Sequence, residues 1–441
     1  MITMSRLKQI LLLSLPIIGG MISQNILNLA DTAMVGVLGP TALAAVGIAS
    51  FAVFMSQAMV LGLSSGVQAI AARRVGEGEI DKAGVSLYSG VIIALVLGLL
   101  LILMIYPLVP VFFTYLNSDL GVQELGSSYW QIRLLAMVFM GINYSFRGYF
   151  NGISQPKYYM FSLLVIHSLN IFMNYVFIYG HFGFEAMGTD GAALASSLAT
   201  VAGTLMYFSL SFFGLKELKL FRLKPIKADL LSVFKLTIPS GVQQLLIAVG
   251  ISSLFWMVGF LGVTEVAALN ILITILMLCI LPGFGFGMAA ATLVGTSLGE
   301  QEKAKAKRWA YDVVKVGGFI TMMLGVILAS SAEWILNLFT QDMATIEAAL
   351  LPLQVTGGII FIDVMGVILM NALLGSGDVN IVVKTSIFSQ WLVFFPLGLI
   401  SISFFQPNLL WVWLLFSFSR LGQGFVYAHH WQQEKWGAAK I

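Results

Sequence analysis

Hydrophobic residues form long stretches of this chain, and short polar segments interrupt them at fairly regular intervals. The apolar stretches reach about 20 residues or more, which is the length that an α-helix needs to cross a bilayer. Helices are the only secondary structure that fits them, because lipid cannot satisfy the free edge of a sheet. The pattern predicts about twelve transmembrane helices, near 10–36, 44–72, 84–110, 124–148, 157–180, 190–213, 231–260, 266–297, 308–331, 347–372, 381–403 and 408–431.

The overall composition agrees with this pattern. The 441 residues are 59% hydrophobic and 10% charged, whereas a soluble domain carries about 25% charged residues. The single cysteine, Cys279, excludes an intramolecular disulfide framework and a four-cysteine metal site. We therefore expect an all-α polytopic membrane protein with no cofactor, no metal site and no nucleic-acid partner.

Positive charge is distributed unequally between the loops on the two sides of the predicted helices. Lys and Arg precede the first span and fill alternate loops, at 73–82, 147–157, 216–227 and 303–308. The opposite loops contain acidic residues and no Lys or Arg. Because cytoplasmic loops carry an excess of Lys and Arg, we expect both termini to be cytoplasmic.

The second half of the chain repeats the first. Pro16 corresponds to Pro239, an offset of 239 − 16 = 223 residues, and at this offset VLGPTALAAVGI (37–48) matches FLGVTEVAALNI (260–271). Six predicted spans in each half make this a parallel repeat, with a pseudo-two-fold axis along the membrane normal. We predict two pseudo-symmetric six-helix bundles joined by a charged cytoplasmic linker, namely an N-lobe at 1–213, the linker at 214–230 and a C-lobe at 231–441.

Asp31 is an ionisable residue inside the first predicted helix. An Asp at the centre of a membrane helix costs roughly 2.5 to 3.5 kcal/mol on insertion scales, so such a residue usually faces a cavity or a partner and marks an ion or proton path. Asn28 lies three residues earlier on the same helical face. Pro16 removes a backbone hydrogen bond from the same helix and predicts a bend there.

A second acid, Asp363, lies in the tenth predicted span. The repeat equivalents of Asp31 and Asp363 are Leu254 and Met140, so the two halves carry different acids and identical roles are not expected. Asp363 is either a second cation site or a polar residue whose hydrogen bonds are satisfied. Arg133, in the fourth span, is expected near the outer surface or paired with an acid.

Several segments resemble the multidrug and toxic compound extrusion (MATE) family, and the resemblance extends over roughly residues 10 to 430. The segments are NLADTAMVGVLGPTALAAVG (28–47), RGYFNGISQPK (147–157), LNIFMNYVFIYG (169–180) with GAALASSLAT (191–200), and LLGSGD (373–378). The resemblance implies secondary antiport of cationic, often aromatic, drugs against protons or sodium. It further implies a multi-pass protein of the bacterial cytoplasmic membrane, which we expect to be a monomer.

Within this family the chain is most similar to the DinF-like branch, in which a lone acid of the first helix is the usual coupling carboxylate. Asp31 lies at that position, and Pro16 matches the proline at which that helix bends. Asn170 matches a fifth-helix asparagine that hydrogen-bonds near the carboxylate, and Ser196 falls where the sixth helix often has Thr. Asn174 stands where some relatives have a second acid, so a site with one acid is expected.

We predict that Asp31 gains and loses a proton while Asn28, Asn170 and Asn174 hydrogen-bond both of its states. Sodium, bound by Asp31, by Asp363 or by both, is the alternative coupling ion. A lipid or polysaccharide flippase of the same superfamily is a more distant alternative, which twelve spans and few intramembrane cations disfavour. An enzyme is not expected, because the sequence lacks paired helical aspartates, a metal-ligand motif and a phosphate-binding loop.

Overall fold

A computed structural model describes residues 2–214, 223–405 and 408–438 of the chain. In the first half the helices are α1 (Met4–Gly36), α2 (Pro40–Gly76), α3 (Ile80–Ile105), α4 (Val109–Leu116), α5 (Leu120–Leu135), α6 (Met137–Gly152), α7 (Pro156–Tyr179) and α8 (Gly188–Ser209). In the second half they are α9 (Lys227–Gly259), α10 (Val263–Gly299), α11 (Lys303–Ser330), α12 (Ala332–Asn337), α13 (Met343–Ser376), α14 (Val379–Ile387), α15 (Phe395–Phe405) and α16 (Leu409–Gln432).

Eleven of the described helices, counting joined segments as one, are long and apolar enough to cross a membrane. A short 3-10 segment joins α3 to α4, and a π-helical segment joins α14 to α15. No β-strand occurs in the described ranges. The predicted all-α, multi-pass membrane fold is thereby confirmed.

The fourth predicted span, 124–148, is not the single helix that the sequence predicts. It consists of α5 and α6, each of 16 residues, which meet at Ala136. The N–H of Ala136 hydrogen-bonds to the carbonyl of Arg133, only three residues earlier, which tightens the turn and ends α5. The sequence at this position contains neither Pro nor Gly, so it offered no signal for the break.

The predicted repeat is visible in the helix boundaries. Helices α9, α10, α11, α13 and α14 each begin 223 residues after α1, α2, α3, α5 and α7, as in 227 − 4 = 223 for α9 and α1. The N-caps obey the same offset, since Asp119 caps α5 and Asp342 caps α13. Each of these carboxylates accepts from the backbone N–H three residues later, which is the usual geometry of an Asp cap.

The chain forms two compact units: one is Gly19–Val242, and the other is Met1–Ile18 together with Gln243–Ile441. Both unit boundaries fall inside helices, in α1 shortly after Pro16 and in α9 shortly after Pro239. Residues 215–222, which include Lys216, Lys219 and Arg222 of the predicted linker, lie outside the described residues. The division into an N-lobe, a linker and a C-lobe stays a prediction.

Candidate functional site

Asp31 lies in the last third of α1, and its neighbours come from α7 and α8. Helix α7 begins with Pro156 at its first position and ends at Gly180, whose φ of 75° closes the helix in the left-handed conformation. Within α7, Asn170 and Asn174 are one turn apart and therefore share a face. Both are almost fully buried, at 2% and 0% exposure, which leaves their amides to find partners inside the protein.

The amide of Asn174 contacts the carboxylate directly. Its Nδ2 donates to Asp31 Oδ1 at 2.5 Å. With the Asn170 amide oriented so that all its hydrogen bonds are satisfied, its nitrogen lies 3.1 Å from the same carboxylate oxygen and its oxygen accepts from Ser196 Oγ at 3.0 Å. Four of the predicted site residues, Asp31, Asn170, Asn174 and Ser196, therefore meet in one cluster.

This cluster has the hydrogen-bonding capacity to hold Asp31 with or without a proton. The ionised carboxylate accepts from the asparagine amides, as described above. Asn174 Oδ1 is buried and has no donor among the described residues. If the Asn174 amide rotates, this oxygen turns toward Asp31 and can accept the hydrogen of the neutral acid. Rotation of this amide would therefore let Asn174 hydrogen-bond to Asp31 in either charge state.

Asn28 lies apart from this cluster. Its side chain is exposed, and its Oδ1 accepts from Gln24 Nε2 at 3.1 Å, so it makes no described contact with Asp31. Gln24 continues the chain of contacts to α7, because its Oε1 lies 3.2 Å from His167 Nε2. Ser23 Oγ lies 2.8 Å from the other ring nitrogen of His167. His167 therefore ties α7 to α1 about two turns before Asp31.

The contacts between α1 and α7 also extend past Asp31. The hydroxyl of Tyr179 donates to the backbone carbonyl of Met34 at 2.8 Å. At the other end of the contact, Gly20 lies against α7, where an added Cβ would come within 3.0 Å of Leu163. The part of α1 that follows Pro16 is thus fixed to α7 along its length. Pro16 itself lies inside a continuous helix, where its ring leaves the carbonyl of Leu12 without the usual helical donor.

Arg133 of α5 attracts Asp31 electrostatically without forming an ion pair with it. Its Nη1 is buried and has no hydrogen-bond partner among the described residues. Arg133 therefore makes no described pair with an acid, in contrast to one of the two expectations for it. In the described part of the chain, no Lys, Arg or His forms an ion pair with Asp31.

Asp363, in α13, has a different environment, which belongs to the other compact unit. Arg420 Nε donates to both carboxylate oxygens of Asp363, each at 3.0 Å, and Arg420 Nη2 lies 2.9 Å from Oδ2. Arg420 is absent from the predicted site, although an arginine inside an apolar span of 20 residues or more is itself a rare feature that signals a partner. A cluster of three or more metal-binding side chains does not occur among the described residues.

A protein-family model described as MatE matches two segments of the chain, residues 16–176 and 239–400, which together exceed half its length. The chain belongs to the MatE family. This membership makes it a transporter and not an enzyme, as the sequence predicted. The two matched segments also begin 239 − 16 = 223 residues apart, at Pro16 and Pro239, which agrees with the repeat.

Relatives of this MatE family member are similar over nearly the whole chain. The probable multidrug resistance protein NorM of Thermotoga maritima is 24% identical over 417 residues, which are 92% of this chain and 88% of the relative. The multidrug resistance protein NorM of Photobacterium profundum is 25% identical over 89% of this chain and 87% of its own length.

Solved structures of MATE proteins have the same fold. One in a straight conformation matches with a TM-score of 0.87 at 24% identity and covers 97% of this chain and 96% of its own. One in a bent conformation also has a TM-score of 0.87, at 23% identity, and covers 98% of this chain and 96% of its own.

Proposed function

We propose that this protein is a secondary active multidrug efflux antiporter of the DinF-like branch, which exports organic cations in exchange for protons by alternating access. Protonation of Asp31 and bending of α1 at Pro16 drive substrate release. The observation that carries the proposal is a membrane-embedded carboxylate held by two asparagine amides, with no ion-pair partner in the described part of the chain. The names of the NorM relatives support multidrug substrates.

The coupling step follows from the contacts between α1 and α7. A charged Asp31 favours the arrangement in which amide nitrogens face it, whereas a neutral Asp31 requires an acceptor for its hydrogen. The exchange of a proton thus changes the hydrogen bonds that hold the segment of α1 after Pro16. The proton and the drug need only prefer different states of this segment, because each ligand then shifts the equilibrium against the other.

Sodium is the second candidate for the coupling ion. The oxygens of Asp31, Asn174 and Ser196 are hard ligands of the kind that alkali and alkaline-earth cations take in proteins. A single carboxylate among neutral amides fits a proton at least as well, since a proton needs one acceptor and not a full shell of oxygen ligands. The flippase alternative receives no support from the cluster, because none of the described basic side chains binds to it and could hold an anionic head group.

We infer the cellular arrangement from the charge of the loops. The N-terminal segment with Arg6 and Lys8 is cytoplasmic, and so is the C-terminal segment with Lys435. The transporter then lies in the bacterial cytoplasmic membrane as a monomer and moves its cargo outward.

The decisive experiment measures accumulation of a fluorescent organic cation in inverted membrane vesicles. A proton gradient and a sodium gradient are imposed separately, each with the other ion clamped. We expect the proton gradient alone to drive accumulation. Accumulation driven only by the sodium gradient at constant pH would contradict proton coupling and favour the alternative.

Replacing Asn174 with Ala tests the cluster without changing its charge. The variant removes the shorter of the two amide contacts to Asp31, and a hydrogen bond to a charged group contributes about 1.5–3 kcal/mol. We expect the rate of proton-driven efflux to fall about tenfold or more, because about 1.4 kcal/mol corresponds to a factor of ten.

Ser162→Ala is the matched control on the same helix. Its hydroxyl donates to the backbone carbonyl of Tyr158 within α7 and makes no described contact with Asp31, so this variant should transport like the wild type. Equal efflux rates for the two variants would argue that the Asn174 amide has no part in coupling.

A further inference from the structure

Asp363 and Arg420 form a closed ion pair inside one compact unit. The two carboxylate oxygens both accept from Arg420, in a bidentate geometry that matches a planar guanidinium to a carboxylate. The side chains are 10% and 20% exposed, so water screens the pair little. Asp363 therefore carries its counter-charge within the protein, whereas Asp31 is held by neutral amides.

Among the described residues, no other charged side chain lines the cavity beside the pair. Asp363 and Arg420 line a small cavity whose remaining walls include Thr356, Trp413 and Phe416. The Thr356 hydroxyl is occupied, because it accepts from Trp413 Nε1 at 2.9 Å. The guanidinium of Arg420 also lies 5.8 Å from the centre of the Phe416 ring, within the range of a cation–π contact.

A small cation that reached Asp363 would have to displace Arg420. The guanidinium is tethered to α16, so its local concentration at the carboxylate is far higher than that of a dissolved ion, typically in the millimolar range or above for a short tether. Displacement would also leave the Arg420 charge without a partner at a site where an unpaired charge is strongly disfavoured. The ion pair thus opposes the binding of a dissolved cation at Asp363 as long as Arg420 is present.

We propose that Arg420 is a specificity-determining residue that occupies Asp363 as a built-in cation, so that this acid takes no coupling ion and coupling depends on Asp31 alone. This inference rests on the proposed antiport function. It predicts that removing the positive charge of Arg420 creates a cation site where the wild type has none. The Arg420→Gln substitution should therefore allow Asp363 to bind a dissolved cation.

The test compares Arg420→Gln with Arg420→Lys, which keeps a positive charge, and with the double variant Asp363→Asn/Arg420→Gln, which is neutral at both positions. Purified proteins are titrated with sodium chloride against potassium chloride at equal ionic strength, and sodium-dependent thermal stabilisation is measured at several pH values. We expect Arg420→Gln alone to gain a sodium- or pH-dependent stabilisation, with an apparent affinity about tenfold or more above that of the double variant. Identical titrations of Arg420→Gln and the double variant would overturn the proposal.

If Arg420→Gln does not fold, the double variant still provides a test of the proposal. Replacing both partners of a buried pair by neutral groups is far better tolerated than removing one of them. We expect the double variant to keep proton-driven efflux with the wild-type ratio of protons to drug. Loss of coupled efflux in a folded double variant would overturn the proposal, because Asp363 would then be needed for transport.

The two proposals fail in distinguishable ways. Ion binding by the purified variants does not depend on efflux. It can therefore be measured even if the protein is not a proton antiporter. An error in the proposed function would appear as wild-type vesicles without gradient-driven accumulation, or as no effect of replacing Asp31.

Discussion

Asp31→Asn should reduce proton-driven efflux in inverted vesicles to the level of vesicles that lack the protein. The substitution keeps the size and the hydrogen-bonding shape of the side chain but removes the group that can gain and lose a proton. The partners of Asp31 are the amides of Asn170 and Asn174, and neither can take over that role. Binding of the drug to the purified variant should persist, because the change locks one state and leaves the rest of the protein intact.

Asp119→Asn is the matched control for this prediction. It makes the same acid-to-amide change in the same compact unit, at the N-cap of α5, where Asn caps about as well as Asp. This control should transport at the wild-type rate and melt at the wild-type temperature. Wild-type efflux by a normally expressed Asp31→Asn protein would remove the basis of the proposed mechanism.

Gly375→Ala should cause a large loss of stability, although it adds only a single methyl group. Gly375 lies where α13 crosses α10, and an added Cβ would lie 2.5 Å from the Cα of Ala291 and closer still to its carbonyl oxygen. A backbone cannot retreat as the end of a flexible side chain can, so the two helices must separate. Overpacking of this kind costs about 1–3 kcal/mol, which should appear as a lower melting temperature in detergent.

Gly358→Ala provides the comparison on the same helix. No atom lies within 4 Å of the Cβ that would be added there. Alanine favours a helix interior by up to about 1 kcal/mol over glycine, so this variant should be as stable as the wild type or slightly more stable. Equal melting temperatures for the two variants would mean that α10 and α13 are not packed as tightly as described.

The repeat explains why this crossing exists in both halves. Gly152 is equivalent to Gly375, and its added Cβ would lie 2.9 Å from the carbonyl oxygen of Gln68, whose equivalent is Ala291. The sequence pairs Gly152 with Gly375 through the common offset but does not reveal what either one packs against. The close approach of the helices shows that only a hydrogen atom fits at Gly152 and at Gly375.

Much of the fold followed from local features of the sequence. Long apolar stretches predicted the spans, and motifs at a common offset predicted the repeat that the helix boundaries later matched. The break at Ala136 did not follow, because α5 and α6 have the hydropathy of one continuous span and no residue there disfavours a helix. A change from an i−4 to an i−3 hydrogen bond leaves no trace in hydropathy.

The candidate site was predictable in part. Asp31 drew attention as an acid within an apolar stretch, and the family resemblance added Asn170, Asn174 and Ser196. Asn28 was predicted from its position on the helical face of Asp31, yet in the structure its partner is Gln24. Sharing a face requires only the correct spacing, whereas a contact also depends on which way each side chain turns and what the neighbouring helix offers.

Hydropathy by itself determined that this chain is a multi-pass helical membrane protein, and motifs at a common offset determined that it has two similar halves. Both features can be read from short segments of the chain. The tertiary structure decided the partner of each buried charge. Asp31 meets Asn174 across 143 residues, and Asp363 meets Arg420 across 57. Such pairs form only when separate helices pack side by side, and the free energy of that packing depends on side-chain shapes that a hydropathy pattern does not describe.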